Sequence, residues 1–219
     1  MFDFDEIVDR SGNHSSKWCM PYVKFSGEEE RAAALKAIPM WIADMDFRTD
    51  PGITKAVIDD VAHGINGYTS RWDEMFDAFI GWIGKRHGWT IRREWLDMTP
   101  GVLSAVCTAI QVLTDPGDKV IVQTPIYTPF FELIRNNGRH VVESPLLYDG
   151  NTYSIDFDDL EKKAGDPRVR MLILCSPHNP VGRVWTAEEL TRLGRICIDH
   201  DVYVFADEIH SDLILSGHK

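Results

Sequence analysis

Two short apolar runs near the end of this 219-residue chain constrain its fold more than any other feature. Met171-Leu-Ile-Leu-Cys175 leads into Ser176-Pro-His-Asn-Pro-Val-Gly182. Val202-Tyr-Val-Phe-Ala206 leads into Asp207-Glu-Ile-His210. An aliphatic run bounded by turn residues reads as a strand buried on both faces of a parallel sheet. Ligands of open α/β sheets sit just outside the carboxyl ends of such strands. Asn179, Asp207 and His210 are therefore expected around one crevice.

The rest of the chain from residue 50 alternates helical and strand patterns. Asp50-Pro51 reads as an N-cap and first helical residue of a helix to about His63. Ser70-x-x-Asp73 resembles a capping box, followed by Trp72, Met75, Phe76, Phe79, Ile80 and Ile83 at helical spacing. Val102 to Leu113 reads as a helix closed by the turn Asp115-Pro-Gly-Asp118. Lys119 to Gln123 reads as a strand. Tyr127 to Asn137 reads as a helix stopped by Gly138, and His140 to Glu143 as a further strand. Asp156 to Ala164 reads as a short helix, and Thr186-x-x-Glu189 as a full capping box for a helix to about His200. Such alternation means a parallel sheet with helices on both faces. Residues 1–49, with Trp18, Pro21, Pro39 and Trp41 in irregular sequence, read as an arm and part of a small domain. Residues 50–219 read as the large domain.

Composition excludes several function classes. A formal net charge of −11 argues against a nucleic-acid binder, which needs a basic face. No run approaches the ~18 apolar residues of a membrane span. The acidic start, Met1-Phe-Asp-Phe-Asp-Glu6, lacks the plan of a secretory signal. Cys19, Cys107, Cys175 and Cys197 have no paired spacing, which fits reduced thiols in a cytoplasm.

Asn-Pro at one strand end with Asp-Glu-x-His at the next resembles the pyridoxal-phosphate (PLP) enzymes of the aspartate aminotransferase superfamily. Further stretches resemble its cystathionine β-lyase-like branch, the MalY/PatB-type C–S lyases. These are Met40-Trp-Ile-Ala-Asp-Met-Asp-Phe47, Ser16-Lys-Trp18, Gly67-Tyr-Thr-Ser-Arg-Trp72 and Asp207-Glu-Ile-His-Ser-Asp212. The resemblance runs from Phe2 to the last residue. It implies the α/β three-layer sandwich with a mostly parallel sheet of the PLP-dependent transferases. It also implies a homodimer, an amino-acid substrate, and cis bonds before Pro125 and Pro180.

Each group that PLP chemistry needs has a candidate here. Asp207 suits the carboxylate that keeps the pyridine nitrogen protonated; a helix N-cap or a solvated strand-end Asp is its structural alternative. The Asn179 amide suits the cofactor's phenolic oxygen, and is also a turn former before Pro180. Tyr127 suits the ring face, or simple packing. The helix start at Val102 and Leu103 suits the phosphate. The resemblance puts His210 beside the cofactor and Ala43 and Asp44 beside the substrate. It has Tyr68 reach a partner subunit's cofactor phosphate. The structural alternatives are turn and capping chemistry for Asp44 and Asp46, and a packed aromatic for Tyr68.

One departure from the family pattern is large. The lysine that carries PLP in that family lies in a Ser/Thr-rich loop, expected downstream of Lys219. The 219 residues alone are therefore expected to be an inactive N-terminal portion of a longer enzyme, with no catalytic residue of their own. A class I/II aminotransferase would use the same residues, and a non-catalytic binding or regulatory fragment stays open. Asp207, His210 and Asp212 have a spacing that permits a metal, but no second ligand cluster accompanies them, so none is expected.

Overall fold

The computed structural model describes residues 3–10, 12–19 and 26–217; Pro21 and Lys219 fall outside them. The chain divides into two compact units, Met1–Ser70 and Arg71–Lys219.

In the first unit, α1 spans Glu28–Leu35 and α2 Pro51–Ala62. Helix α1 lies where irregular sequence was expected. Glu28, Glu29 and Glu30 fill its first turn, where negative charge suits the helix dipole. Helix α2 starts as its sequence indicates, the Asp50 carboxylate accepting from the Gly52 N–H at 2.6 Å.

The second unit opens with α3 (Asp73–His87), a 3-10 turn at Arg93–Trp95, and α4 (Val102–Leu113). Then come β1 (Lys119–Val122), α5 (Pro129–Asn136), β2 (His140–Glu143), and the short strands β3 (Leu147–Tyr148) and β4 (Tyr153–Ser154). Helix α6 (Phe157–Ala164), β5 (Val169–Cys175), α7 (Ala187–Asp199) and β6 (Tyr203–Asp207) complete it. The main sheet has the order β2-β1-β5-β6, all neighbours parallel, and β3 and β4 form a separate antiparallel pair.

Alternation along the strands builds two cores. Ile121, Leu172 and Leu174 point to one face, where Leu160, Leu193 and Ile196 of α6 and α7 cover them. Val120, Val122, Met171 and Ile173 point to the other, under Val106, Ile110, Phe130 and Ile134 of α4 and α5. Successive side chains leave a strand on opposite sides, so a run apolar at every position requires cover on both.

Local signals hold at most element ends. The Asp115–Asp118 turn closes with Asp118 N–H donating to Asp115 O at 3.0 Å, Gly117 taking φ 91°. Gly138, at φ 74°, ends α5 in a Schellman motif. There Gly138 N–H donates to Arg135 O (2.9 Å) and Arg139 N–H to Ile134 O (3.0 Å). The Thr186–Glu189 box is reciprocal.

Two expectations are corrected. Trp72, not Ser70, is the N-cap of α3, and it makes no side-chain cap, because extended backbone continues to Trp72 at φ −110°, ψ 150°. Strand β6 is not buried on both faces like β5: among the described residues it pairs only with β5, and Tyr203 and Val204 are 48% and 40% exposed.

Candidate active site

The sheet order places a topological switch between β1 and β5. The chain leaves β1 for β2 on one side and returns to β5 on the other. At such a point the following loops part and open a crevice. The β1 loop carries Tyr127, the β5 loop Asn179, and β6 ends at Asp207, so all three follow carboxyl ends on one edge of the parallel sheet.

Hydrogen bonds tie these loops together. Ser176 N–H donates to Asp207 O at 3.0 Å, across the register pair of Cys175 and Asp207. The Cys175 thiol donates to Pro177 O and accepts from Asn179 N–H, both at 3.4 Å. Trp185 Nε1 donates to Cys175 O at 3.0 Å. His178 Nε2 donates to Pro125 O at 2.9 Å, joining the two loops at the switch. The Thr124–Pro125 and Asn179–Pro180 bonds are cis, as the resemblance implies, and Ser176–Pro177 is a third that sequence reasoning missed.

A cavity of about 510 Å³ opens beside the β6 end of this edge. Phe76, Phe79, Leu96, Met98 and Phe205 give it apolar walls. Gly101 and Val102 at the start of α4, with Asp207, give it polar groups. Asp207 is only 7% exposed. Its Oδ1 accepts from Ile209 N–H at 3.1 Å, and among the described residues it has no ion-pair partner. The start of α4 has no side-chain cap, which leaves first-turn N–H groups available to an anion. Gly101 sits at φ 156° and ψ 168°, a conformation open essentially to glycine alone. An unpaired carboxylate and an uncapped helix start on one cavity suit a ligand with a cationic ring and a phosphate.

Other expected residues lie outside this cavity lining. Tyr127 is partly exposed, its ring edge-on to Phe130 at 5.5 Å. Leu103 is the second residue of α4, and His210 is a half-buried turn residue whose carbonyl accepts from Leu213 N–H at 2.9 Å.

In the first unit Asp44 and Asp46 form an ion cluster rather than caps. Arg10 bonds Asp44 at 2.7 Å and Asp46 at 2.6 Å, and Lys17 bonds Asp46 at 2.6 Å. Trp18 Nε1 adds a bond to Asp46 at 2.8 Å. Lys17, then Trp18 and Arg10, hold the Asp46 carboxyl far below the usual carboxylate range, and Arg10 lowers that of Asp44. Ala43 and Tyr68 are exposed and lie in no helix or strand.

Sequence reasoning passed over Cys175, His178 and Trp185. The available signal was a histidine inside Pro177-His-Asn-Pro180, directly after a fully apolar strand, where a polar side chain has few partners besides the neighbouring loop. Burial lowers the His178 pKa, and burial together with nearby Asp207 raises that of the Cys175 thiol.

Residues 38–219 match the aminotransferase class I and II family, and the chain belongs to it. It is 46% identical over 217 residues to cystathionine β-lyase PatB of Bacillus subtilis, covering 99% of this chain and 54% of that protein. A PLP-bound putative aminotransferase from Clostridium difficile superposes with a TM-score of 0.91 at 43% identity, covering 100% of this chain and 55% of that one. Cystalysin from Treponema denticola, which contains PLP, superposes with a TM-score of 0.90 at 37% identity, covering 100% and 54%. The chain thus spans about half the length of the curated relatives it matches. Among the described residues, no helix is long and apolar enough to cross a membrane.

Proposed function

We propose that the complete protein is a PLP-dependent carbon–sulfur β-lyase, releasing thiol, pyruvate and ammonia from cystathionine or a related cysteine conjugate. The observation that carries this reading is the cavity shared by the unpaired Asp207 carboxylate and the uncapped start of α4. Bound there, PLP supplies a cationic ring that accepts electrons from the substrate's Cα–H bond. Asp207 holds a proton on the pyridine nitrogen, since a carboxylate beside it favours the charged form. The N–H groups of Val102 and Leu103 hold the phosphate. Tyr127 would cover the ring face, the Asn179 amide would donate to the phenolic oxygen, and His210 would stand near the cofactor. In the substrate the Cα proton leaves and the Cβ–S bond breaks, expelling thiolate; the 2-aminoacrylate that remains takes up water to give pyruvate and ammonia. The lysine that carries the cofactor and moves that proton belongs, in this reading, to sequence beyond Lys219.

The same reading gives residues 50–219 the cofactor and residues 1–49 an arm and part of a small domain. It puts Ala43 and Asp44 at the substrate, and Tyr68 on the cofactor of a second copy in a cytoplasmic homodimer. An aminotransferase is the second reading, favoured by the family match and by the description of the Clostridium structure. Incubating the complete protein with PLP and cystathionine separates the two. Thiol and pyruvate without any added oxo acid support the lyase; product formation only with an oxo acid rejects it.

A further inference from the structure

His178 is 1% exposed and takes no part in the chemistry above. Its backbone closes the β5 loop: His178 N–H donates to Arg183 O, and its carbonyl accepts from Gly182 N–H, both at 2.7 Å. Its ring leaves that loop and meets the other one, Nε2 lying 2.9 Å from Pro125 O. A carbonyl only accepts, so Nε2 carries the hydrogen. Nδ1 is buried with no hydrogen-bond partner, and so is the carboxamide of Gln123, which follows β1 two residues before Pro125. Trp185 stacks edge-on against the ring at 5.5 Å and 78°, fixing its plane. The ring thus spans 53 residues of sequence through a single side-chain hydrogen bond.

Two residues beyond Pro125 is Tyr127, and one residue beyond His178 is Asn179. We propose that His178 is a positioning residue for the cofactor, coupling the loop that presents Tyr127 to the loop that presents Asn179 across the β1/β5 switch. This rests on the PLP reading above. The Asn179 side is anchored from below by Cys175, whose sulfur accepts from the Asn179 N–H, and Cys175 is held by Trp185. The Tyr127 side has no comparable side-chain anchor among the described residues, because its ring contact is to Phe130 of the helix that follows. The Nε2–Pro125 bond is therefore the link that sets one loop against the other. Without it the carbonyl of Pro125, itself an exposed residue, turns to water and the β1 loop relaxes away from the β5 loop.

Two variants separate positioning from packing. His178→Phe keeps a ring against Trp185 but has no donor; His178→Gln keeps a donor but no ring. PLP affinity of the complete protein, followed by the cofactor's visible absorbance, is compared with thermal unfolding of the PLP-free form. His178→Phe should bind PLP about fivefold to tenfold more weakly, the scale of one hydrogen bond lost. His178→Gln should recover most of that affinity, even where it unfolds at lower temperature. PLP affinity of His178→Phe within twofold of the parent would overturn the inference, whatever its stability. So would failure of both variants to fold, which assigns His178 to the core alone. A parent protein that binds no PLP would instead reject the cofactor reading on which the inference stands, and the inference with it.

Discussion

Cys175 on β5 and Asp207 on β6 are register partners, and the next residue's N–H, that of Ser176, donates to the Asp207 carbonyl at 3.0 Å. The backbone of Asp207 is thereby locked at the strand end, while its carboxylate stays free of any cation among the described residues. Among those residues its one hydrogen bond is from the Ile209 N–H at 3.1 Å, so the carboxylate keeps acceptor capacity for a cationic ligand.

Asp207→Asn therefore keeps the shape of the site and removes its charge. Losing one partner of a buried ion pair costs ~3–5 kcal/mol. PLP affinity should fall by roughly two to three orders of magnitude, measured by equilibrium dialysis. A change of less than tenfold would show that Asp207 does not face the ring nitrogen.

Acidification should destabilise the second unit through His178. Burial places its folded-state pKa below the ordinary value of 6.5. Above 6.5 both folded and unfolded forms are neutral and contribute no pH dependence. Below it the unfolded chain takes up the proton first, so stability falls as pH drops toward the folded value. Urea unfolding at pH 7.5 and 5.5 should show a steeper loss for the parent than for His178→Gln; equal slopes contradict this.

Glu189 should matter more than its capping partner. Glu189 Oε2 accepts from Thr186 N–H at 2.8 Å, and its carboxylate also grips Arg183 at 2.8 and 2.6 Å. Thr186→Ala loses one cap, at about 1 kcal/mol. Glu189→Ala loses its half of the box and frees a partly buried Arg183, so a cost of about 2 kcal/mol is expected. Thermal unfolding ranks the two, and a larger loss for Thr186→Ala would be the wrong order.

The thiols should divide into two classes. Cys175 and Cys197 are buried, and burial raises both, Cys197 to about 11. Cys19 and Cys107 are only half-buried. At pH 8 a thiol-specific reagent should modify the second pair in the native state and reach the first pair only after denaturation. Rapid reaction at all four positions in the native protein would contradict the burial.

Chain-local features were legible without coordinates. The Asp50–Pro51 start, the Asp115–Asp118 turn, Gly138 and the Thr186 box each act within a few residues, through one dihedral or one short hydrogen bond. The same holds for the span of α4 and for β5, whose apolar positions alone require two covered faces. The hairpin of β3 and β4 escaped because two-residue strands are too short for a period to show. Asp149 shapes its turn by accepting from Asn151 and Thr152 N–H, both at 2.8 Å.

Sequence by itself determined the elements, the α/β class and the residue types waiting at the strand ends. Only the tertiary structure decided the order β2-β1-β5-β6, and hence where the switch falls. It likewise decided that β6 is half-exposed, that Ser70 does not cap α3, and that Arg10 and Lys17 hold Asp44 and Asp46. The bond from His178 to Pro125 joins residues 53 apart. Its formation depends on which strands pair. Strand pairing is set by burying apolar surface between distant segments, and a local pattern carries no record of its partner.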